Sequence, residues 1–534
     1  MIHPAKIVLE FAGNPSIREE MTMASSLFER RLSLDAIQGI ASKFFGWMCL
    51  FGLIAILASS VDLIYLDPDH TKFIFLIGAV GLWRYSNAVM HYLRGMYFLH
   101  WRFPKMRAEV DASGDEFLPS HIYMVVTSFR IPPETTYKVY RSVFQECQRL
   151  SVPVTVIVSI VEKADERLIQ EIMEAEVSDP EQVKLIVVRA RGTGKRDGLA
   201  HAFRALSRQM PDRNSVVGVV DGDTQLLPGC VENAVKFFGY LPTVGGITTN
   251  EFCEVEGGKF IREWHTMRFV QRHINMCSMA LSKRVMTMTG RLSFFRAEAI
   301  VDADFIKDVQ ADFLNHWRLG RFQFLTGDDK SSWFSLMSQG WDTFYVPDSD
   351  TLTIEHPPDS NFFRATRQLM YRWYGNSLRQ NFRSVKLLGW RRLGLFTTYV
   401  LYDQRISMWT CLLGLVTTFI AAMLYSVDFL LVYLLWIAIS RTIVTLLFLF
   451  SGHKVDPMYP LALYYNQIVG SVMKVYSMFH MDQQSWTRQK TKLDSGSGNI
   501  DKLLNWWSSK VMLFSSISIF LGVVALILDF SNIS

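Results

Sequence analysis

The sequence predicts a parallel α/β domain set between two groups of membrane-spanning helices. Three observations carry this. Long apolar runs lie near both ends of a 534-residue chain, and short β-rich runs alternate with helical stretches in its middle. The composition, 49% hydrophobic and 20% charged, is too apolar for a purely soluble protein and too charged for a bare helical bundle. A chain this long is expected to form at least two units.

At the N-terminal end, residues 44–65 are apolar apart from Asp62, and residues 73–99 follow after the acidic connection Asp67-Pro68-Asp69-His70. Together they read as a helical hairpin. Arg30, Arg31 and Lys43 precede it and Arg102, Lys105 and Arg107 follow it, so the excess of cations places both outer ends in the cytoplasm. The second run carries Arg84, His91 and Arg94, which either face a channel or snorkel to the interface. Residues 1–43 form a cytoplasmic segment; they carry charges throughout and no short apolar core, which argues against a cleaved signal peptide.

Between residues 118 and 355 the runs 121–128, 154–160, 184–188 and 215–220 are short and rich in β-branched residues, with helical stretches between them. That alternation is the mark of a parallel sheet flanked by helices. Apolar spans return at 406–425, 429–450 and 511–530. Residues 457–480 are more polar: Asn466, Gln467 and Lys474 need water or protein partners, so this stretch lies in the interface or lines a pore. Arg488, Lys490, Lys492 and Lys502 indicate a cytoplasmic loop before the last span, and Ser495 to Asn499 is a flexible Gly/Ser stretch. The expected organisation is therefore residues 1–43, a hairpin at 44–99, a cytoplasmic domain with interfacial helices at 100–390, and a membrane bundle at 391–534 with a cytoplasmic loop near 481–505.

A net charge of +5 without dense basic blocks excludes nucleic acid as a partner. Six cysteines without a CxxC pair read as free thiols, with neither zinc nor a disulfide framework indicated.

Four motifs carry chemistry. The run 216–220 leads into Asp221-Gly222-Asp223-Thr224, placing two carboxylates at the carboxyl end of a buried strand, where they can hold Mg²⁺ or Mn²⁺ against a diphosphate. Thr326-Gly327-Asp328-Asp329-Lys330 supplies a second acidic pair, with Asp329 the candidate base for a hydroxyl nucleophile. In Arg191-Gly192-Thr193-Gly194-Lys195-Arg196, two glycines precede two cations, which suits close approach to phosphate without the spacing of a P-loop. Tyr371-Arg372-Trp373-Tyr374-Gly375-Asn376 puts an arginine that can clamp a diphosphate beside a tryptophan that can stack on a sugar. Each also has a plain reading: an Asp-rich turn, a helix N-cap, a solvated basic loop and an interfacial aromatic belt. Their order along one chain points to a shared site.

With these motifs the chain resembles the processive, membrane-embedded family 2 glycosyltransferases, among them cellulose, hyaluronan and chitin synthases. The resemblance spans nearly the whole chain and implies a Rossmann-like GT-A domain inserted between transmembrane bundles. It implies Asp221 and Asp223 as the metal pair, Asp329 with Asp328 as the catalytic carboxylates, and Lys195, Arg196, Asp221 and Thr127 on the nucleotide side. It further implies Arg372 and Trp373 as the Arg-Trp of the family's QxxRW motif, Gly290 and Arg291 with Trp373 at the acceptor, and a gating loop at 484–489 that brings Trp486 and Arg488 to the donor.

Stretches 288–296, 316–321, 327–333, 369–376, 464–470 and 484–489 are most similar to the branch of the family that builds alginate. That similarity implies GDP-mannuronic acid as donor, polymannuronate as product, an inner-membrane location and a PilZ-domain copolymerase that binds cyclic-di-GMP. It also implies periplasmic and outer-membrane proteins for export and modification. Three departures from the broader family stand out. Leu369 occupies the Gln position of QxxRW, with Gln368 one residue earlier. Val161-Glu162-Lys163 follows the second run where relatives place an aspartate against uracil, and Arg291 follows Gly290 where a small or neutral residue is usual. A guanidinium at 291 suits a uronate carboxylate, a phosphate or a plain loop anchor. Polymerisation from a UDP-sugar, single transfer to a lipid carrier and ligand sensing by a transporter are the alternative readings.

Overall fold

The computed structural model describes residues 39–61, 72–190, 194–484 and 499–532. Its sheet begins with β1 (Ile122–Thr127), β2 (Val154–Ile160), β3 (Val183–Arg189) and β4 (Val216–Asp221), separated by the helices Pro133–Arg149, Lys163–Glu176 and Lys195–Ser207. Valine and isoleucine dominate β1, β2 and β4, which are buried almost throughout, as parallel strands covered on both faces must be. The helices supply the cover: in Pro133–Arg149 the buried residues Val139, Tyr140, Val143, Phe144 and Cys147 recur at three- and four-residue spacing. β1 pairs in parallel with β2 and β4, and β2 with β3, as the alternation in the sequence predicts.

The second half of the sheet departs from that pattern. It comprises β5 (Thr224–Leu226), β6 (Val244–Val255), β7 (Leu292–Arg296) and β10 (Asp342–Glu355), while β8 (Phe313–His316) and β9 (Gly320–Gln323) form a separate hairpin. The strand order is β3-β2-β1-β4-β7-β6-β10-β5. β7 is antiparallel to both neighbours, because the chain leaves β6, runs through the helix Lys259–Ala280 and re-enters the sheet from the same end. The sheet is therefore mixed, and Thr127, Asp221, Arg291 and Glu355 meet along one edge, the carboxyl ends of the parallel strands. Apolar side chains fill both faces; Trp264, Trp333, Phe144, Phe203 and Phe294 are among the fully buried ones.

Four helices among the described residues are long and apolar enough to cross a membrane: Gly39–Ser60, Leu395–Leu424, Asp428–Phe450 and Ile500–Asp529. The predicted run 73–99 forms the helix Lys72–Tyr97, and its polar residues find protein partners. Arg84 and Asn87 bind Asp403 on Leu395–Leu424. Arg94 donates to the Ser278 carbonyl (3.1 Å) and the Ser282 hydroxyl (2.8 Å), and His91 Nδ1 lies 3.1 Å from Ser278 Oγ. Gly95 lets this helix close on Lys259–Ala280, since a Cβ there would stand 2.8 Å from the Ile274 carbonyl oxygen. The polar stretch 457–480 becomes the helix Tyr459–Phe479, packed against Phe362–Leu387 and Leu395–Leu424.

Candidate active site

At the carboxyl edge of the sheet one cation ties two sequence motifs together. Lys195 opens the helix Lys195–Ser207, and its Nζ lies 2.6 Å from Asp221 Oδ1 and 2.8 Å from Asp328 Oδ2. Burial disfavours its charge, but the two carboxylates hold its pKa above the ordinary lysine value. Burial, with Asp223 and Asp328 nearby, pushes the Asp221 carboxyl up to about 6 against the pull of Lys195. Asp328 goes the other way, because Lys195 and Arg196 outweigh its burial and lower its pKa.

The backbone closes tightly over this pair. A Cβ on Gly290 would stand 2.7 Å from Lys195 Nζ and 2.8 Å from Asp221 Oδ2, so a larger residue there would push the bridge apart. A Cβ on Gly222 would meet Ser128 Oγ at 2.6 Å and the Thr127 carbonyl at 2.7 Å. Thr127, in register with Asp221, has its Oγ1 buried without a hydrogen-bond partner among the described residues. Asp223 sits two residues on in the same turn, its carbonyl accepting from the Ile354 amide at 3.0 Å.

Asp329 lies beside Asp328 in the first turn of the helix Asp328–Gln339, where the helix N-terminus favours negative charge. Its Oδ2 accepts from the Thr287 hydroxyl at 2.9 Å. The preceding Gly327 (φ +90°) turns the chain, and Asn376 packs against it while accepting from the Thr326 hydroxyl at 2.8 Å. The end of the Arg-Trp motif thus touches the turn that carries the acidic pair. Arg196 points away from the crevice: it donates to the Val309 carbonyl (2.8 Å), the Thr326 carbonyl (3.1 Å) and the Ser331 hydroxyl (3.0 Å). Among the described residues no group of three or more metal-ligating side chains converges.

Both terminal nitrogens of Arg291 are engaged by protein. Its guanidinium binds Glu251 at 3.0 Å and Glu355 at the end of β10, and lies 4.8 Å from the centre of the Phe269 ring. Burial alone would raise the Glu355 pKa, but Arg291 and His265 bring it down to about 2. The two glutamates were not singled out from the sequence, because strand alternation gives no hint that both face one arginine.

Trp373 stacks on Trp264 (6.0 Å between ring centres, 19° between planes), with the Arg268 guanidinium 4.1 Å from its ring centre. Arg372 lines a cleft of about 650 Å³ with Tyr371, Arg367, Tyr476 and Gln484. Gln484 is pinned to the strand before the acidic pair, accepting from the Leu325 amide (3.0 Å) and donating to the Gln323 carbonyl (2.8 Å). Trp486 and Arg488 lie outside the described residues.

Residues 119–376 match the family described as "Glycosyltransferase like family 2". The chain is 55% identical over 479 residues to the glycosyltransferase alg8 of Pseudomonas syringae pv. tomato, covering 90% of this chain and 97% of that one. It is 50% identical over 493 residues to the glycosyltransferase alg8 of Azotobacter vinelandii, covering 92% and 100%. Among solved structures, a mannosyltransferase from Pyrobaculum calidifontis in complex with GDP-Man and Mn2+ aligns at 14% identity, 72% of this chain and 98% of that one, TM-score 0.37. Glucosyl-3-phosphoglycerate synthase from Mycobacterium tuberculosis aligns at 10% identity, 51% and 83%, TM-score 0.29.

Proposed function

Since this chain belongs to glycosyltransferase family 2, together with the alg8 glycosyltransferases, we propose that it polymerises mannuronate from GDP-mannuronic acid into a β-1,4-linked chain and passes that chain across the inner membrane. The observation that supports this most is the bridge of Lys195 between Asp221 and Asp328, which gathers three separate motifs around one crevice.

In this reading the donor diphosphate lies against the Lys195–Asp221 edge, with Thr127 beside the nucleotide. Asp221 and Asp223 suit a magnesium-class ion, a hard cation that takes one or two protein carboxylates and fills its shell with phosphate oxygens and water. When bound, that ion neutralises charge on the leaving diphosphate. Asp329, at the positive end of its helix, takes the proton from the acceptor hydroxyl. The hydroxyl oxygen then bonds to the anomeric carbon as the bond to the diphosphate breaks, so the configuration inverts in one step. Asp328 orients Lys195, and Arg196 holds the Thr326 turn that presents both aspartates. Trp373 stacks on the acceptor sugar while Arg372 faces the diphosphate, with Trp486 and Arg488 closing over the donor.

The catalytic domain faces the cytoplasm, where nucleotide sugars are made. A PilZ-domain subunit that binds cyclic-di-GMP is the partner the alginate resemblance calls for, and export and modification proteins receive the product.

The test is radiolabel incorporation by membranes containing the chain, with Mg²⁺, cyclic-di-GMP and a PilZ-domain partner. The reading expects large polymer from GDP-mannuronate and none from UDP-glucose or UDP-glucuronate. Polymer from a UDP-sugar alone would overturn the donor assignment, and a short lipid-soluble product would overturn polymerisation.

A further inference from the structure

Many cations in the interior of this protein are matched by carboxylates. Arg272 and Arg291 bind Glu251, Arg383 binds Asp312, and Arg284 binds Asp342. Arg268 and Lys474 differ. Both are half-buried, and among the described residues neither has an ion pair or a hydrogen bond. What they share is an aromatic ring: Lys474 Nζ is 4.8 Å and Arg268 Cζ 5.9 Å from the centre of Tyr374. Arg268 also covers Trp373, and its buried Nη1 has no acceptor; the indole N–H of the neighbouring Trp264 is equally unpaired.

Three helices, Lys259–Ala280, Phe362–Leu387 and Tyr459–Phe479, thus bring unsatisfied donors and stacking faces to one place. Gly470 lets the third helix approach Tyr374 closely, since a Cβ there would stand 3.0 Å from the Tyr374 hydroxyl. Phe362–Leu387 itself carries Arg364, Arg367, Arg372, Arg379, Arg383 and Lys386 and no carboxylate. Donors without acceptors, set beside aromatic rings, are what a sugar acid would satisfy: its carboxylate takes the cations and its ring face takes the indole.

We propose that Arg268 and Lys474 form a carboxylate-binding subsite for the growing sugar chain beside Trp373, which restricts the acceptor to acidic polysaccharide. The proposal rests on the glycosyltransferase reading above and adds the residues that read the charge of the acceptor. It moves recognition of the uronate from Arg291, which Glu251 and Glu355 already occupy, to two cations beside Trp373 that have no ion pair among the described residues.

The test uses the full-length chain in detergent and measures binding of a β-1,4-linked tetramannuronate, of neutral mannotetraose, and of GDP as a check on folding. Wild type is expected to favour the acidic oligomer by about tenfold or more, the order of one charge-assisted contact. Arg268→Gln and Lys474→Gln should each erase most of that preference with GDP binding retained, and Arg268→Lys should keep part of it. Equal binding of both oligomers by wild type, binding of neither, or a preference that survives both substitutions would overturn the subsite. The same outcome follows if the substitutions change discrimination between GDP-mannuronate and GDP-mannose instead, because the carboxylate read would then be the donor's. Acidic preference without any transfer from GDP-mannuronate would leave the subsite standing and refute the proposed reaction.

Discussion

Asp329 and Asp328 are adjacent in sequence yet differ in surroundings. Asp328 is neutralised by Lys195, whereas Asp329 has a hydroxyl and the more distant Lys330 at 4.0 Å. The contrast suits Asp329 to the proposed base role, and Asp329→Asn is expected to lower transfer by at least about a hundredfold, the usual worth of a general base, at unchanged nucleotide affinity. Gly290→Ala should cost activity at the Lys195–Asp221 bridge directly, with steady-state transfer falling while the fold, followed by thermal unfolding, is little changed. The Arg291–Glu355 pair gives a pH prediction. The Glu355 pKa falls from the ordinary 4.5 to about 2 on folding, so its contribution is complete above pH 4.5 and is lost as the pH drops towards 2. That contribution is on the order of 3 kcal/mol. Arg291→Gln should lower the unfolding temperature near neutral pH and flatten its fall across that acid window. At this scale strand ends and glycine spacing mark the carboxylates and Lys195, while Gly290 was legible only through the family resemblance. Glu251, Glu355 and Arg268 were not, since their significance lies in contacts made across long stretches of sequence.

The helix Phe362–Leu387 is the element on which the account turns. Its middle carries Arg372 and Trp373, Asn376 braces the Thr326 turn, and farther along Arg383 enters a buried ion pair with Asp312, whose Oδ2 also accepts from Ser331. Removing one member of such a pair strands the other, so Arg383→Leu is expected to destabilise the domain by about 3–5 kcal/mol. Denaturant unfolding of the detergent-solubilised chain checks this, and a loss below about 1 kcal/mol would show the pair to be dispensable. The sequence identifies the Arg-Trp motif here but not the bracing, because Asn376 and Gly327 meet only once the helix is docked. Elsewhere the strands β1 to β4 were readable from their valine-rich alternation with helices. The antiparallel β7 was not, since a five-residue apolar run carries no sign of its direction.

In the whole molecule the membrane helices and the sheet are joined by polar contacts as well as apolar ones. Arg94 reaches the end of Lys259–Ala280, and Arg318 in the β8–β9 turn donates to Ser508 (2.9 Å), Ser509 (2.7 Å) and the Phe479 carbonyl (2.8 Å). The four helices long and apolar enough to cross a membrane were legible from hydropathy alone, whereas the role of Lys72–Tyr97, which is not among them, as a polar partner of its neighbours was visible only as three misplaced charges. In the proposed function, glycosyl transfer takes place at the crevice bridged by Lys195. It is tested most directly by following GDP release and polymer labelling from GDP-mannuronate in membranes carrying wild type or Asp329→Asn, with GDP binding measured on both. The substitution is expected to lower release and labelling together by at least about a hundredfold while GDP still binds. Labelling at the wild-type rate in Asp329→Asn would contradict it.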